Sequence, residues 1–132
     1  MNIVEAGYRF GPLYMASLVE HDTLRNINLS GNDRNRNYVG VMSSLTRGSN
    51  IYSLQAGRAG PWTGAAGVAD SGAVMGSLAY NYALSKSVQL YLFYTLLHGQ
   101  TQADYVLGSN PTASVPQAAS QHTLAIGMWQ MF

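Results

Sequence analysis

Residues 121–132 read QHTLAIGMWQMF, a near-unbroken apolar run of strand length that ends on the aromatic Phe132. Soluble domains usually finish in a polar, fraying tail, so a run of this kind is expected to lie inside a sheet. With a period of two, Leu124, Ile126, Met128, Gln130 and Phe132 share one face, and Thr123, Ala125, Gly127, Trp129 and Met131 share the other. The first of these faces is apolar except at Gln130, close to its end.

Working backwards from this run, breakers cut the chain into seven segments of strand length and composition: 2–10, 13–22, 36–45, 50–60, 73–84, 88–99 and 121–132. In the first, Val4, Ala6, Tyr8 and Phe10 oppose Glu5, Gly7 and Arg9. In the fourth, Tyr52, Leu54 and Ala56 oppose Ser53, Gln55 and Gly57; in the fifth, Val74, Leu78, Tyr80 and Tyr82 oppose Ser77, Ala79, Asn81 and Ala83. The sixth, VQLYLFYTLLHG, is apolar on both faces, and Val88, Leu90, Leu92, Tyr94 and Leu96 are assigned to the outer one. Connections alternate between short (11–12, 46–49, 85–87) and long (23–35, 61–72, 100–120). In an antiparallel meander this alternation puts every long loop at one end of the sheet and Phe132 at the other.

Composition sharpens the problem such a sheet poses. The 132 residues suffice for one unit, 1–132, and 47% of them are apolar, but only 10% are charged, against about 25% in ordinary soluble domains. So few charges suit an aqueous surface poorly. An all-β, antiparallel transmembrane β-barrel removes the conflict, because its outer face meets lipid while alternate Tyr, Ser, Asn, Gln and Gly residues carry its polarity. Tyr8, Phe10, Tyr14, Tyr80, Tyr82 and Phe132 lie near the short turns, where an aromatic girdle is expected.

Several classes are excluded or disfavoured. Net charge is +1, and Arg34 with Arg36 is the one basic cluster, so nucleic acid is not an expected partner. With no cysteine there is no disulfide, thiolate metal site or Cys nucleophile. No run approaches the roughly 18–20 apolar residues of a spanning helix. The opening MNIVEAGYRFG lacks the marks of a secretory signal, so an exported chain of this kind is expected to be a mature product or a piece that starts mid-barrel.

Three stretches carry a family resemblance. LAYNYALSKSVQLYLFYT, residues 78–95, resembles the penultimate hairpin of the general porins of Gram-negative bacteria, the beta-proteobacterial type in particular. The terminal strand, with Gly127 five residues before Phe132, is similar to the family's ending, and YRFGPLYMASLVEHD resembles a strand, a Phe-Gly-Pro turn and a returning strand. The chain departs from the family in having Trp129, Gln130 and Met131 where basic or His residues are usual beside the last Phe. The resemblance implies roughly the last seven strands of a sixteen-stranded barrel in the bacterial outer membrane, a homotrimer passing small hydrophilic solutes. It also implies contact with outer-membrane lipid and lipopolysaccharide, and an assembly signal, Gly127 and Phe132, read by the barrel-insertion machinery.

No catalytic constellation stands out, so no enzyme activity and no cofactor are expected. His21, His98 and His122 lack partners at metal-ligand spacing and are expected to be solvated rim residues. Ser17, Ser43 and Ser53 have no nucleophile-elbow context. The strand charges Glu5, Arg9, Glu20 and Arg58 are expected to line a pore, because a charge facing mid-bilayer lipid costs about 2–4 kcal/mol. Arg25, Asp33, Arg34, Arg36, Asp70 and Asp104 are expected on solvated loops. Seven strands leave two unpaired edges, so the missing pairing must come from further strands, a partner chain or an eighth strand, for which TQADYVLG (101–108) is the candidate. A small complete eight-stranded barrel acting as an anchor or adhesin, and a soluble lipocalin-like barrel, remain as alternatives.

Overall fold

The computed structural model describes residues 1–27, 32–105, 107 and 116–131. Seven strands run in chain order: β1 (Asn2–Phe10), β2 (Leu13–Ile27), β3 (Asn32–Arg47), β4 (Asn50–Ala59), β5 (Ala73–Ala83), β6 (Val88–Gly99) and β7 (Ser120–Gln130). They form one open antiparallel sheet in which each strand pairs with its sequence neighbours, so β1 and β7 are its edges. No helix occurs among the described residues.

Tight turns fix the register at one end. Gly11-Pro12 links β1 to β2 and Gly48-Ser49 links β3 to β4, each with two residues between paired positions. Both turns need a left-handed residue, and Gly supplies it at φ 57° and 58°. Between β5 and β6 the Ser85 hydroxyl accepts the Ser87 and Val88 amides at 3.2 and 3.1 Å, closing a third short turn. Met131 extends the last pairing by one bond, its amide donating to Ser87 O at 2.9 Å. Phe132 lies outside the described residues.

The ladder runs further than apolar content indicates. β2 and β3 continue past residues 22 and 36 through Thr23↔Asn35 and Leu24↔Arg34 to Ile27↔Asn32, which shortens the expected long loop. Backbone groups need partners whatever their side chains, and a cross-strand Arg36–Asp22 ion pair at 3.0 Å ties this polar extension together. The candidate eighth strand does not form among the described residues: 101–105 and 107 are turn and irregular backbone.

Among the described residues no second layer of strands or helices covers either face, since contacts between elements link sequential strands alone. Buried apolar side chains among the described residues are limited to Ala16, Ala59, Ala73, Leu97 and Ala103, while Val4, Leu124 and Ile126 are 71, 72 and 82% exposed. Total accessible surface is 9105 Å², against about 6,800 Å² for a compact monomer of this mass. Along β7 the even positions are exposed and Gln121, Thr123, Ala125 and Gly127 are half-buried. A sheet with no covering layer acquires that asymmetry by curling toward the odd side.

Tyrosines settle onto glycines on this more buried face. The Tyr38 ring lies over Gly40 and Gly57, Tyr14 over Gly7 and Tyr91 over Gly127. A Cβ at Gly57 would meet the Tyr38 ring inside van der Waals contact, whereas one at Gly76 would meet nothing within 4 Å. Gly57→Ala is therefore expected to destabilise the fold by about 1–3 kcal/mol as the ring is lifted. Gly76→Ala should be neutral or stabilising by up to about 1 kcal/mol. Urea unfolding of the two variants measures the difference.

Candidate functional site

The pairing register carries each side chain's face across the whole sheet. One row reads Phe10, Leu13, Leu45, Tyr52, Tyr80, Leu92 and Ile126; its neighbour reads Tyr8, Met15, Ser43, Leu54, Leu78, Tyr94 and Leu124. Ser43 is the one aliphatic hydroxyl in these two rows, and Ser17, between Ala6 and Val41, lies further along the same face. On the other side a row reads Gly7, Ala16, Met42, Gln55, Ser77, Thr95 and Thr123, with Ser77 and Thr95 hydroxyls 2.9 Å apart. This second, mixed face holds small neutral polar groups together with charges.

Glu5, Arg9 and Glu20 all belong to the mixed face. Glu5 and Arg9 are exposed on the edge strand β1, and Arg9 stacks 5.4 Å from the Tyr14 ring centroid, with no ion pair joining it to Glu5. Arg58 departs from the expectation: it pairs with Val39 and Val74 and shares the apolar face with Tyr52 and Leu54, at the long-loop end of β4. Strand parity, which alternates without exception in β4, outweighs any preference of the charge for the other side. Parity also removes Tyr14 from the aromatic set of the apolar face and adds Tyr52, whose ring lies 5.2 Å from Tyr80. Gly127 sits opposite Tyr91 on the mixed face.

At the long-loop end, side chains from four parts of the chain converge on Arg36. Its Nη2 donates to Asp22 Oδ2 at 3.0 Å and its Nη1 to Tyr105 Oη at 2.7 Å. The guanidinium also lies 4.3 Å from the Trp62 ring centroid, and Arg34 lies 4.5 Å from the same ring. Both Nε atoms are buried without a hydrogen-bond acceptor, an arrangement the electron-rich ring offsets in part. Arg34 and Arg36 alternate on one strand, so both reach the mixed face.

The loops that supply Trp62 and Tyr105 are themselves built structures. Thr63 and Asn35 exchange backbone hydrogen bonds at 2.8 Å, extending the β3 edge into the loop after β4. Ser71 Oγ accepts the Trp62 amide at 2.9 Å and donates to Val68 O at 2.6 Å. Gln100 binds Gly72 through both its backbone and its side chain, each at 2.9 Å, and Gln121 holds Tyr105 O at 2.6 Å. Beside Tyr105 lies an open cavity of about 220 Å³, lined also by Glu20, Arg36, Tyr38, Met75 and Leu97. Arg34 and Arg36 are thus strand residues and not the solvated loop charges expected of them.

His21, His98 and His122 are exposed, in keeping with a rim, and no group of three metal-ligating side chains occurs among the described residues. Trp62 and Tyr105 are not legible as site residues, because their meeting with Arg36 depends on loops folding back across the sheet, while Asp22 meets Arg36 through the β2–β3 register. The alternate spacing of Arg34 and Arg36 was the available signal.

The cluster fastens two loops over one end of the mixed face and presents charges of both signs there. Arg36→Gln is expected to release them, since it removes the ion pair, the Tyr105 bond and one stack on Trp62 at once. Amide exchange at Gly67 and Val68 should then rise about 5- to 30-fold, the factor for roughly 1–2 kcal/mol. Hydrogen exchange followed by mass spectrometry reads this directly.

No family model, curated protein or solved structure matches this chain.

Proposed function

We propose that these seven strands are part of the wall of an outer-membrane β-barrel whose water-filled interior passes small hydrophilic solutes and ions by diffusion. The observation that carries this reading is the pair of apolar rows running from β1 to β7, interrupted at Ser43 alone, with no other described strand packed against them. Against water such a face is unfavourable by about 25 cal/mol per Å²; against lipid it is at home. The mixed face has the small neutral groups and scattered charges of a wetted interior. At 10–12 residues, β4, β5, β6 and β7 match the length needed to cross a bilayer at a tilt.

Edges define what else the unit requires. An open ladder in lipid costs several kcal/mol per unpaired group, so β1 and β7 must both be paired. With seven antiparallel strands these two run in the same direction, and sealing them against each other would make a parallel seam. All-antiparallel closure takes an odd number of additional strands, which a sixteen-stranded barrel satisfies. On this reading Glu5, Arg9 and Glu20 face the aqueous passage, and Gly127 with Phe132 forms the assembly signal.

Adjacent residues on opposite faces give the sharpest mutational contrast. Leu54→Arg is expected to weaken insertion from urea into phosphatidylcholine vesicles by about 2–4 kcal/mol, while Ser53→Arg leaves it nearly unchanged. The wild-type chain should gain protease-protected β-structure on insertion and give stepwise ion currents in planar bilayers. Insertion without current would contradict the diffusion role, and failure to insert would contradict the membrane wall itself.

A further inference from the structure

The cavity beside Tyr105 joins an apolar trough to a carboxylate that no base neutralises. Glu20 lies opposite Tyr38, and their row continues through Ala59 and Ala73 to Gly99. The two alanines are buried and small, so they make a floor. On one flank stands the Tyr38 ring, which fills the space over Gly57, and on the other stand Met75 and Leu97. Tyr105 bounds the space from the loop side. Its carbonyl is held by Gln121 of β7 at 2.6 Å and its hydroxyl by Arg36 of β3 at 2.7 Å, so this one side chain spans the curved face between the two strands.

Charge around the trough is uneven. Both Nη atoms of Arg36 already hold partners, Asp22 and Tyr105, and its Nε is buried beside the Trp62 ring with no acceptor. Glu20, half-buried at the same wall, makes no ion pair. Arg34 lies two rows further out, stacked on Trp62, and Asp33 alternates with it onto the opposite face. A ligand entering here therefore meets free acceptor oxygens at one end and apolar surface at the other.

We propose that this hollow binds small arylalkylammonium ions, with the ammonium on Glu20 and the ring in the trough between Tyr38 and Leu97. The inference rests on the reading above, in which the mixed face is wetted and passes small solutes, and names a class of solute that this face retains. An ammonium donates charge-assisted hydrogen bonds to the carboxylate, and the aryl ring packs against Tyr38 in an offset or edge-on arrangement. The other ion classes fit less well. An inorganic cation lacks ligands, since no group of three metal-ligating side chains occurs among the described residues, and an anion would face Glu20 with the Arg36 donors engaged.

The test titrates the full chain, folded in dodecyl maltoside micelles, with para-fluorophenethylammonium, the neutral para-fluorophenethyl alcohol and the anionic para-fluorohydrocinnamate. Fluorine NMR shifts, read against protein-free micelles, give the affinities. The ammonium should bind with a Kd of about 1 mM, about fivefold or more tighter than the alcohol, and the anion should bind more weakly than either. Glu20→Gln should reduce the ammonium to the affinity of the alcohol and leave the alcohol unchanged. Tyr105→Ala should weaken both alike, by about threefold. Equal binding of ammonium and alcohol, or an ammonium preference that survives Glu20→Gln, would overturn the proposal and leave the membrane wall standing, provided far-ultraviolet circular dichroism shows intact β-structure. Loss of alcohol binding in Glu20→Gln would overturn it as well, by making Glu20 a prop of the hollow and not its cation site. A wild-type chain that takes up no β-structure in micelles would remove both this proposal and the reading beneath it.

Discussion

A single layer of strands can satisfy its backbone but cannot hide its side chains. The ladder from β1 to β7 pairs the interior strands on both sides, and every other feature answers to the two faces this leaves open. Ordinary domains solve the problem with a second layer. Here the described chain supplies none, and its largest apolar residues, Leu124 and Ile126 among them, remain exposed. The surroundings must then cover what a core would hide; on the proposed reading, lipid meets one face and water wets the other.

The mixed face shows how the sheet accommodates that arrangement. Tyr38 spread over Gly40 and Gly57, and Tyr91 over Gly127, put large rings flat on the backbone, so this face can curl inward without filling the space above it. At one end Arg36 gathers Asp22, Trp62 and Tyr105, folding two loops across the same face. The opposite end is bounded by tight turns at Gly11 and Gly48. Parts of two long loops therefore cover one end of the face, and tight turns bound the other.

Much of this was legible because strand side chains alternate and turns carry Gly, Pro and Ser. Bounds for β1 and β6 agree with the segmentation to the residue, and the face assignments in β1, β4, β5, β6 and β7 agree with parity. A residue's character misleads where it competes with its position. Charge alone places Arg58 on the polar side, although it shares parity with Leu54. The extensions of β2 and β3 were hidden because residues such as Asn35 and Thr23 are loop-like in composition, while their backbone groups pair regardless. The Arg36 cluster was illegible for a different reason: Trp62 and Tyr105 are far from it in sequence and arrive by loop packing that no local period encodes.

On the proposed reading one face of the sheet meets lipid and the other water. Because the chain has no cysteine, single Cys residues can carry spin labels at each position from 120 to 130 without background. Collision rates with oxygen and with a polar nickel chelate, measured in phosphatidylcholine vesicles, should alternate with a period of two: oxygen favoured at Leu124, Ile126 and Met128, nickel at Thr123, Ala125 and Gly127. Equal access of the nickel reagent to both sets, with no alternation along β7, would contradict it.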